Sequence, residues 1–361
     1  MNRSGRSFRR SATALLLTIT LAPGWSQSPV PSDVLMREGI RLHGQRDFDG
    51  AARMYRKVLE AEPTNVTALY ELSFSLSAKG DCGAAVDTAS RGLAATSAPL
   101  DQARFLLTIG GCRDRLGDPQ AAVHAFKTAL ELQPTNYLAQ YNLGVTYARM
   151  GQLAMARESF EHAVTIEPRH ASSHNGLSRI LQAEGQNAAS LLALLRFLSL
   201  EPAGARAAAE RTRIDSLFAA DVRKDNAGKL QVVVNSKTLK SSPVMAALEL
   251  GMGIAETNFQ TRRAAGADVA ELRAEKIETV VKIAAEIGEK EKDGGSSGAQ
   301  YLPFFVTLNG KGLGKPFAYY VQLSGNEPSV PAWLASHAAE VDALRRWLQE
   351  AGPRVSMPVQ N

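Results

Sequence analysis

The chain has 361 residues, 45% of them apolar and 21% charged, with a formal net charge of +5. That length suits two domains on the usual prior of about 150 residues each, and the composition excludes a fibrous or membrane-embedded protein. The positive charge is also in the wrong place for a nucleic-acid partner: residues 1–26 hold four arginines and no acid, which leaves +1 for the remainder. No block of five like charges occurs beyond them, and no nucleic-acid partner is expected.

Arg3, Arg6, Arg9 and Arg10 precede an apolar run from Ala12 to Ala22, and Gly24-Trp25-Ser26 then supplies a small-x-small cleavage site. This is the layout of a secretory signal peptide over residues 1–26. A run of eleven residues is too short to cross a bilayer, which needs about 20. No cysteine follows the run to carry a lipid. The expectation is a periplasmic or secreted protein with no stable membrane anchor after cleavage.

From residue 32 onward the apolar residues keep a helical period and repeat over longer distances. Pro134, Pro168 and Pro202 are spaced 34 apart and close units at 103–136, 137–170 and 171–204. The middle unit reads Leu143, Gly144, Tyr147, Gly151, Ala156, Phe160 and Ala163, two amphipathic helices broken at Gly151. Its neighbours repeat the pattern with Leu106, Gly110, Gly117, Ala122 and Phe126 before it, and Leu177, Ser178, Gly185, Ser190 and Leu194 after it. Upstream, Pro63 closes a unit at 32–65 in which Arg46 stands where the turn glycine is usual. A poorer unit at 66–99 lacks the closing proline and has Ala89 in place of the large aromatic of its second helix.

These five units resemble tetratricopeptide repeats (TPR), whose period is about 34 residues. The resemblance implies an all-α fold, a right-handed α-solenoid of about five helix pairs over 32–204, whose first helices line a concave groove. It also implies that positions 2, 5, 9, 12 and 13 of each repeat face that groove. In this sequence they include Met36 and Ile40, then Tyr70 and Phe74, then Arg104, Leu107, Asp114 and Arg115. Leu138, Tyr141, Val145 and Arg149 follow, and Asn175, Arg179 and Gln182 complete the set. Aromatic and arginine side chains are common interface anchors, so the expected partner is a protein or peptide segment with some acidic character. Cys82 and Cys112 sit in adjacent repeats, and two readings stand for them: a disulfide in an oxidising compartment, or two small buried thiols.

Residues 205–361 form a second, mainly helical region with at most a few short strands. Ala203 to Phe218 reads as a capping helix, and Leu230 to Val234 as one strand. Residues 244–258 and 268–288 return to helical spacing, and 289–298, EKEKDGGSSG, has linker composition. Tyr301, Phe304, Phe305 and Leu308 share one helical face, so 301–308 and 316–323 are read as helices. Pro331 opens a further helix to Leu348.

Motifs for chemistry are weak. Gly310-Lys311-Gly312-Leu313-Gly314-Lys315 is one residue short of a phosphate loop and runs into Pro316. Gly251 and Gly253 lack the third glycine of a dinucleotide fingerprint and read as close helix contacts. His170 and His174 are four apart but straddle a repeat boundary, and are expected to be ordinary surface histidines. Gly294 to Gly298 is linker rather than nucleophile elbow. No catalytic set, cofactor or metal is expected. The leading reading is an exported interaction scaffold or assembly factor that binds through the groove. The alternative makes 205–361 a small-ligand or enzymatic module with the repeats as its targeting arm, and a third reading is self-association through the solenoid ends.

Overall fold

The computed structural model describes residues 30–234, 238–239, 242–290 and 298–350. The expected signal segment at 1–26 and most of the expected linker at 289–298 lie outside the described residues. What is described is almost wholly helical. Five antiparallel pairs come first: α1 (Ser32–Gly44) with α2 (Phe48–Ala61), α3 (Val66–Lys79) with α4 (Cys82–Ala95), α5 (Pro99–Arg115) with α6 (Pro119–Leu132), α7 (Tyr137–Arg149) with α8 (Leu153–Ile166), and α9 (Ala171–Ala183) with α10 (Asn187–Leu200).

Local chemistry explains where each pair turns. The turn needs one residue in the left-handed region, and Gly80, Gly117, Gly151 and Gly185 supply it with φ between 74° and 96°. In the first pair Arg46 takes that conformation at φ 64°. Asp47, Asp81 and Asp118 then cap the second helices of the first three pairs by accepting from the N–H groups of Gly50, Ala84 and Ala121. Asn65 and Asn136 do the same for α3 and α7.

Within a pair, the approach distance is set by one glycine and one aromatic ring. Gly39 lies under Tyr55, Gly110 under Phe126 and Gly144 under Phe160; a Cβ on Gly144 would come within 2.8 Å of the Phe160 ring. Where the ring is absent the glycine is too: Ser73 stands with Ala89 and Ser178 with Leu194. In the fifth pair Ser178 and Ser190 exchange hydroxyl-to-carbonyl hydrogen bonds of 2.9 and 2.7 Å. The second pair is completed from outside. Phe105 of α5, fully buried, lies on Gly92 of α4 and joins the core cluster that holds Ala89.

The C-terminal region does more than cap the array. α11 (Ala205–Ala219) leads into a short antiparallel hairpin, β1 (Val222–Lys224) with β2 (Leu230–Val232), in which Arg223 faces Gln231. The expected strand at 230–234 is thus shorter and has a partner that its charged residues concealed. Then come α12 (Pro243–Ala264), α13 (Val269–Lys290), α14 (Leu302–Gly310), α15 (Gly314–Tyr320), α16 (Ser329–Ser336) and α17 (Ala338–Glu350). Gly251 lies against Ile283 of α13 and Gly253 against Val232 of β2, which are close packing contacts.

One continuous core joins α6 to α17. Its axis is α10, in which every residue of AASLLALLRFLS, from Ala188 to Ser199, is buried. A helix apolar all round requires neighbours on every side, and α11 and α12 supply the faces that α9 does not. The capping helix α11 is itself covered, with Ala207, Ile214, Leu217 and Phe218 all buried. No described helix is long and apolar enough to cross a membrane.

Candidate binding groove and the domain junction

α7 and α9 present their predicted groove residues to a common basin. Tyr141, Val145 and Arg149 from α7 and Asn175 and Arg179 from α9 line a cavity of about 310 Å³, with Phe160 and Gly176 at its floor. Arg206 of α11 completes the rim. Sequence reading missed Arg206 because it lies beyond the last repeat. Its signal was the helix that follows, which occupies the place of a sixth first helix.

The three arginines are braced from behind. Arg149 Nη1 donates to Asp114 Oδ2 at 2.5 Å, with Arg149 55% exposed and Asp114 11%. Arg179 pairs with Glu210, 61% against 4%, and Arg206 with Glu201. Burial alone would raise the Glu210 carboxyl, but hydrogen bonds from Arg179, Arg213 and Asn175 outweigh it and hold it below the usual carboxylate range. Asp114 and Glu210 are therefore sunk, Glu201 is 31% exposed, and each guanidinium faces outward, so the donors stay oriented although their charge is balanced. Buried Oδ1 of Asn175 has no partner among the described residues.

A second basin lies two repeats away. Tyr70 and Arg104 line about 200 Å³ together with Glu71 and Asp101. The Arg104 guanidinium sits 5.6 Å from the Tyr70 ring centre and 3.5 Å from Asp101. Tyr70, Phe74 and His43 form a stacked row, with ring centres 6.0 and 5.0 Å apart. Burial raises the Glu71 carboxyl, opposed by the charges of His43 and Arg104.

Other predicted positions are placed differently. Leu138 is exposed and Leu107 is half-buried against the core. Asp114, expected to face the groove, is buried as the support of Arg149. Arg115 is exposed but engaged: it donates to the carbonyl and hydroxyl of Ser77 and lies 3.2 Å from the Cys112 sulfur. It ties the third repeat to the second. Cys82 and Cys112 are both buried free thiols in one core cluster. Burial pushes the Cys82 thiol up to about 11, helped by its hydrogen bond with Cys112.

His174 corrects the surface-histidine expectation. Its ring is buried against the C-terminal region, stacked at a tilt on Tyr301 with centres 5.5 Å apart. Nδ1 and Nε2 lie 2.8 Å from the Tyr301 hydroxyl and 2.9 Å from the Pro168 carbonyl. Since a carbonyl only accepts, Nε2 carries the proton and Tyr301 donates to Nδ1. Neither nitrogen is left for a metal. Its neighbour His170 is half-buried and hydrogen-bonds Ser173.

The C-terminal region has its own polar centre. Lys276 is 2% exposed, donates to Glu256 at 2.7 Å and Asp215 at 3.3 Å, and lies over the Phe259 and Phe218 rings. Arg273 beside it pairs with Asp215 and Glu327 at 2.8 Å each. Next to Lys276 is a cavity of about 160 Å³ that Asn258, Arg262, Glu275 and Thr279 also line.

Family models for the tetratricopeptide repeat match residues 36–99, 103–136 and 125–158. These matches place tetratricopeptide repeats within residues 36–158, and the repeats build an α-solenoid. Over 85 residues it is 31% identical to Tetratricopeptide repeat protein 7A of Homo sapiens, covering 24% of this chain and 10% of that one. Over 126 residues it is 32% identical to Cellulose synthase operon protein C of Pseudomonas fluorescens (strain SBW25), covering 34% and 10%. It thus spans about a tenth of the length of these two relatives. Among solved structures, the MamA protein is 25% identical, with 47% of this chain and 92% of that one covered and a TM-score of 0.40.

Proposed function

We propose that this protein is an exported, non-catalytic interaction scaffold that holds an extended or helical segment of a protein partner in its repeat groove. The observation that carries this reading is the basin on α7, α9 and α11. Tyr141 and Val145 offer apolar anchorage, while Arg149, Arg179 and Arg206 project donors held by paired carboxylates, two of them buried. Because each donor is oriented before binding, less ordering entropy opposes capture of a carbonyl or carboxylate. Since the charges are balanced, the basin favours polar acceptors on the segment over a strongly acidic run.

A photo-crosslinking residue at Val145 or Leu138 should join a partner from an envelope extract, while one at Ile254, exposed on α12, should not. Adducts from Ile254 alone would move the interface to the C-terminal region. Export itself is tested by N-terminal sequencing of the mature protein, expected to begin after Ser26. In an oxidising compartment Cys82 and Cys112 would close a bridge, which peptide mapping without reductant would show as one linked pair. A second reading, a small-ligand module in 205–361, draws on the cavity beside Lys276. Calorimetric binding of a small anion there, abolished by Arg262→Ala, would favour it.

A further inference from the structure

The junction between the fifth repeat and the C-terminal region holds a small cavity of about 20 Å³, whose polar lining comes from Thr165, Pro168, His174, Arg196, Gln300 and Tyr301. Arg196 lies on the wholly buried α10 and is 3% exposed. Its Nη1 donates to Ser199 Oγ and its Nη2 to the Pro168 carbonyl, both at 3.3 Å, and the guanidinium rests 4.6 Å over the Phe304 ring. All of these partners are uncharged. The contrast with the other deeply buried cations is direct: Arg273 pairs with Asp215 and Glu327, and Lys276 with Glu256 and Asp215. Among the described residues no carboxylate pairs with Arg196. A buried charge is normally paired, because removing it from water is costly.

A second donor faces the same problem. Gln300 uses its Oε1 to accept the Gly298 N–H at 3.0 Å, while its buried Nε2 has no acceptor among the described residues. His174 and Tyr301 cannot help, since each spends its proton on the other or on Pro168. The Pro168 carbonyl already receives two N–H groups. Arg169 adds further positive potential, and the guanidinium of Arg196 is drawn down to about 10, first by burial.

We propose that this cavity binds one small monovalent anion, chloride in ordinary salt, between Arg196 and the Gln300 amide. About 20 Å³ admits a single water-sized guest, which rules out phosphate, sulfate or an organic carboxylate. A water would satisfy the orphaned amide but leave the charge uncompensated. The ion would join α10 and the end of the fourth repeat to the segment that opens α14, so docking of the C-terminal region becomes halide-dependent.

The test is thermal unfolding of the mature chain in sodium chloride or bromide against sodium gluconate at equal ionic strength. A saturable rise of roughly 2–5 °C with either halide is expected, and crystals in bromide should show anomalous scattering beside Arg196. Gln300→Glu, which places a carboxylate beside the guanidinium, should fold and lose the halide response. Identical melting in halide and gluconate, no bromide signal at Arg196, or an undiminished halide response in Gln300→Glu would each overturn the proposal.

Discussion

The Tyr301 hydroxyl donates to Nδ1 of His174 across 2.8 Å, although 127 residues separate the two in sequence. His174 in turn donates to the Pro168 carbonyl, so one imidazole links the close of the fourth repeat, the first helix of the fifth and the C-terminal region. That linkage requires the neutral ring. Burial, with a smaller contribution from the charge of Arg196, lowers the His174 pKa to about 3 from an ordinary 6.5.

This depression sets the direction of a pH dependence. Below pH 6.5 the unfolded chain takes up a proton at His174 that the folded chain refuses, so acid favours unfolding. The contribution is fully present above pH 6.5 and is lost progressively as pH falls toward 3. By pH 4 the loss should be on the order of 3 kcal/mol. Urea titrations across this range, compared between the native chain and His174→Asn, check it. The variant should be less stable at pH 7 and have a flatter acid limb.

Gly144 and Phe160 should behave as one unit. A methyl group on Gly144 meets the ring at 2.8 Å, and overpacking of this kind costs about 1–3 kcal/mol. Gly144→Ser alone is therefore destabilising, whereas Gly144→Ser with Phe160→Leu reproduces the Ser178 and Leu194 combination of the fifth pair. The double variant should recover at least about 1 kcal/mol relative to the sum of the singles, as chemical denaturation of all four proteins would measure.

The repeats were legible because their period survives in small residues. Gly39, Gly110, Gly144 and the prolines at 34-residue spacing announce close helix pairs, and they do so without any partner. Groove positions on α7 and α9 followed from the same register. What lay outside the repeats was not legible to the same degree. Arg206 belongs to α11, which follows the last closing proline and lacks a second helix to complete a sixth pair, and His174 reads as a polar surface residue until Tyr301 is placed beside it. The hairpin was half hidden, since Val222-Arg223-Lys224 carries too much charge to suggest a strand. One signal was available and informative: Leu191 to Leu198 of α10 has Arg196 as its single polar residue and no polar face, which requires a covering layer beyond the fifth repeat.

Arg46 takes the left-handed conformation that glycine takes in the four later turns. A residue with a Cβ is disfavoured there by roughly 1–2 kcal/mol, partly offset by the greater chain entropy of unfolded glycine. Arg46→Gly is expected to stabilise the chain by about 0.5–1 kcal/mol. A shift of the urea midpoint upward at constant m-value is the readout.

Lys276 and Glu256 present the opposite situation from the groove arginines. Arg149 and Asp114 meet where the guanidinium is over half exposed, and pairs of that kind contribute at most about 1 kcal/mol. Lys276 and Glu256 are 2% and 4% exposed, with the ammonium 3.8 Å from the centre of the Phe259 ring. Removing one partner strands the other without water, at a cost of about 3–5 kcal/mol. Lys276→Met should therefore be severely destabilising, and adding Glu256→Gln should restore a large part of the loss, because an amide can be buried where a lone carboxylate cannot. Asp215 also loses a donor in the single variant but keeps Arg273 at 2.8 Å, so it need not be changed to see the rescue. Denaturant melts of the two singles and the double give the coupling directly. Additive losses would mean that the pair is solvated in solution and that the ring contacts alone hold Lys276.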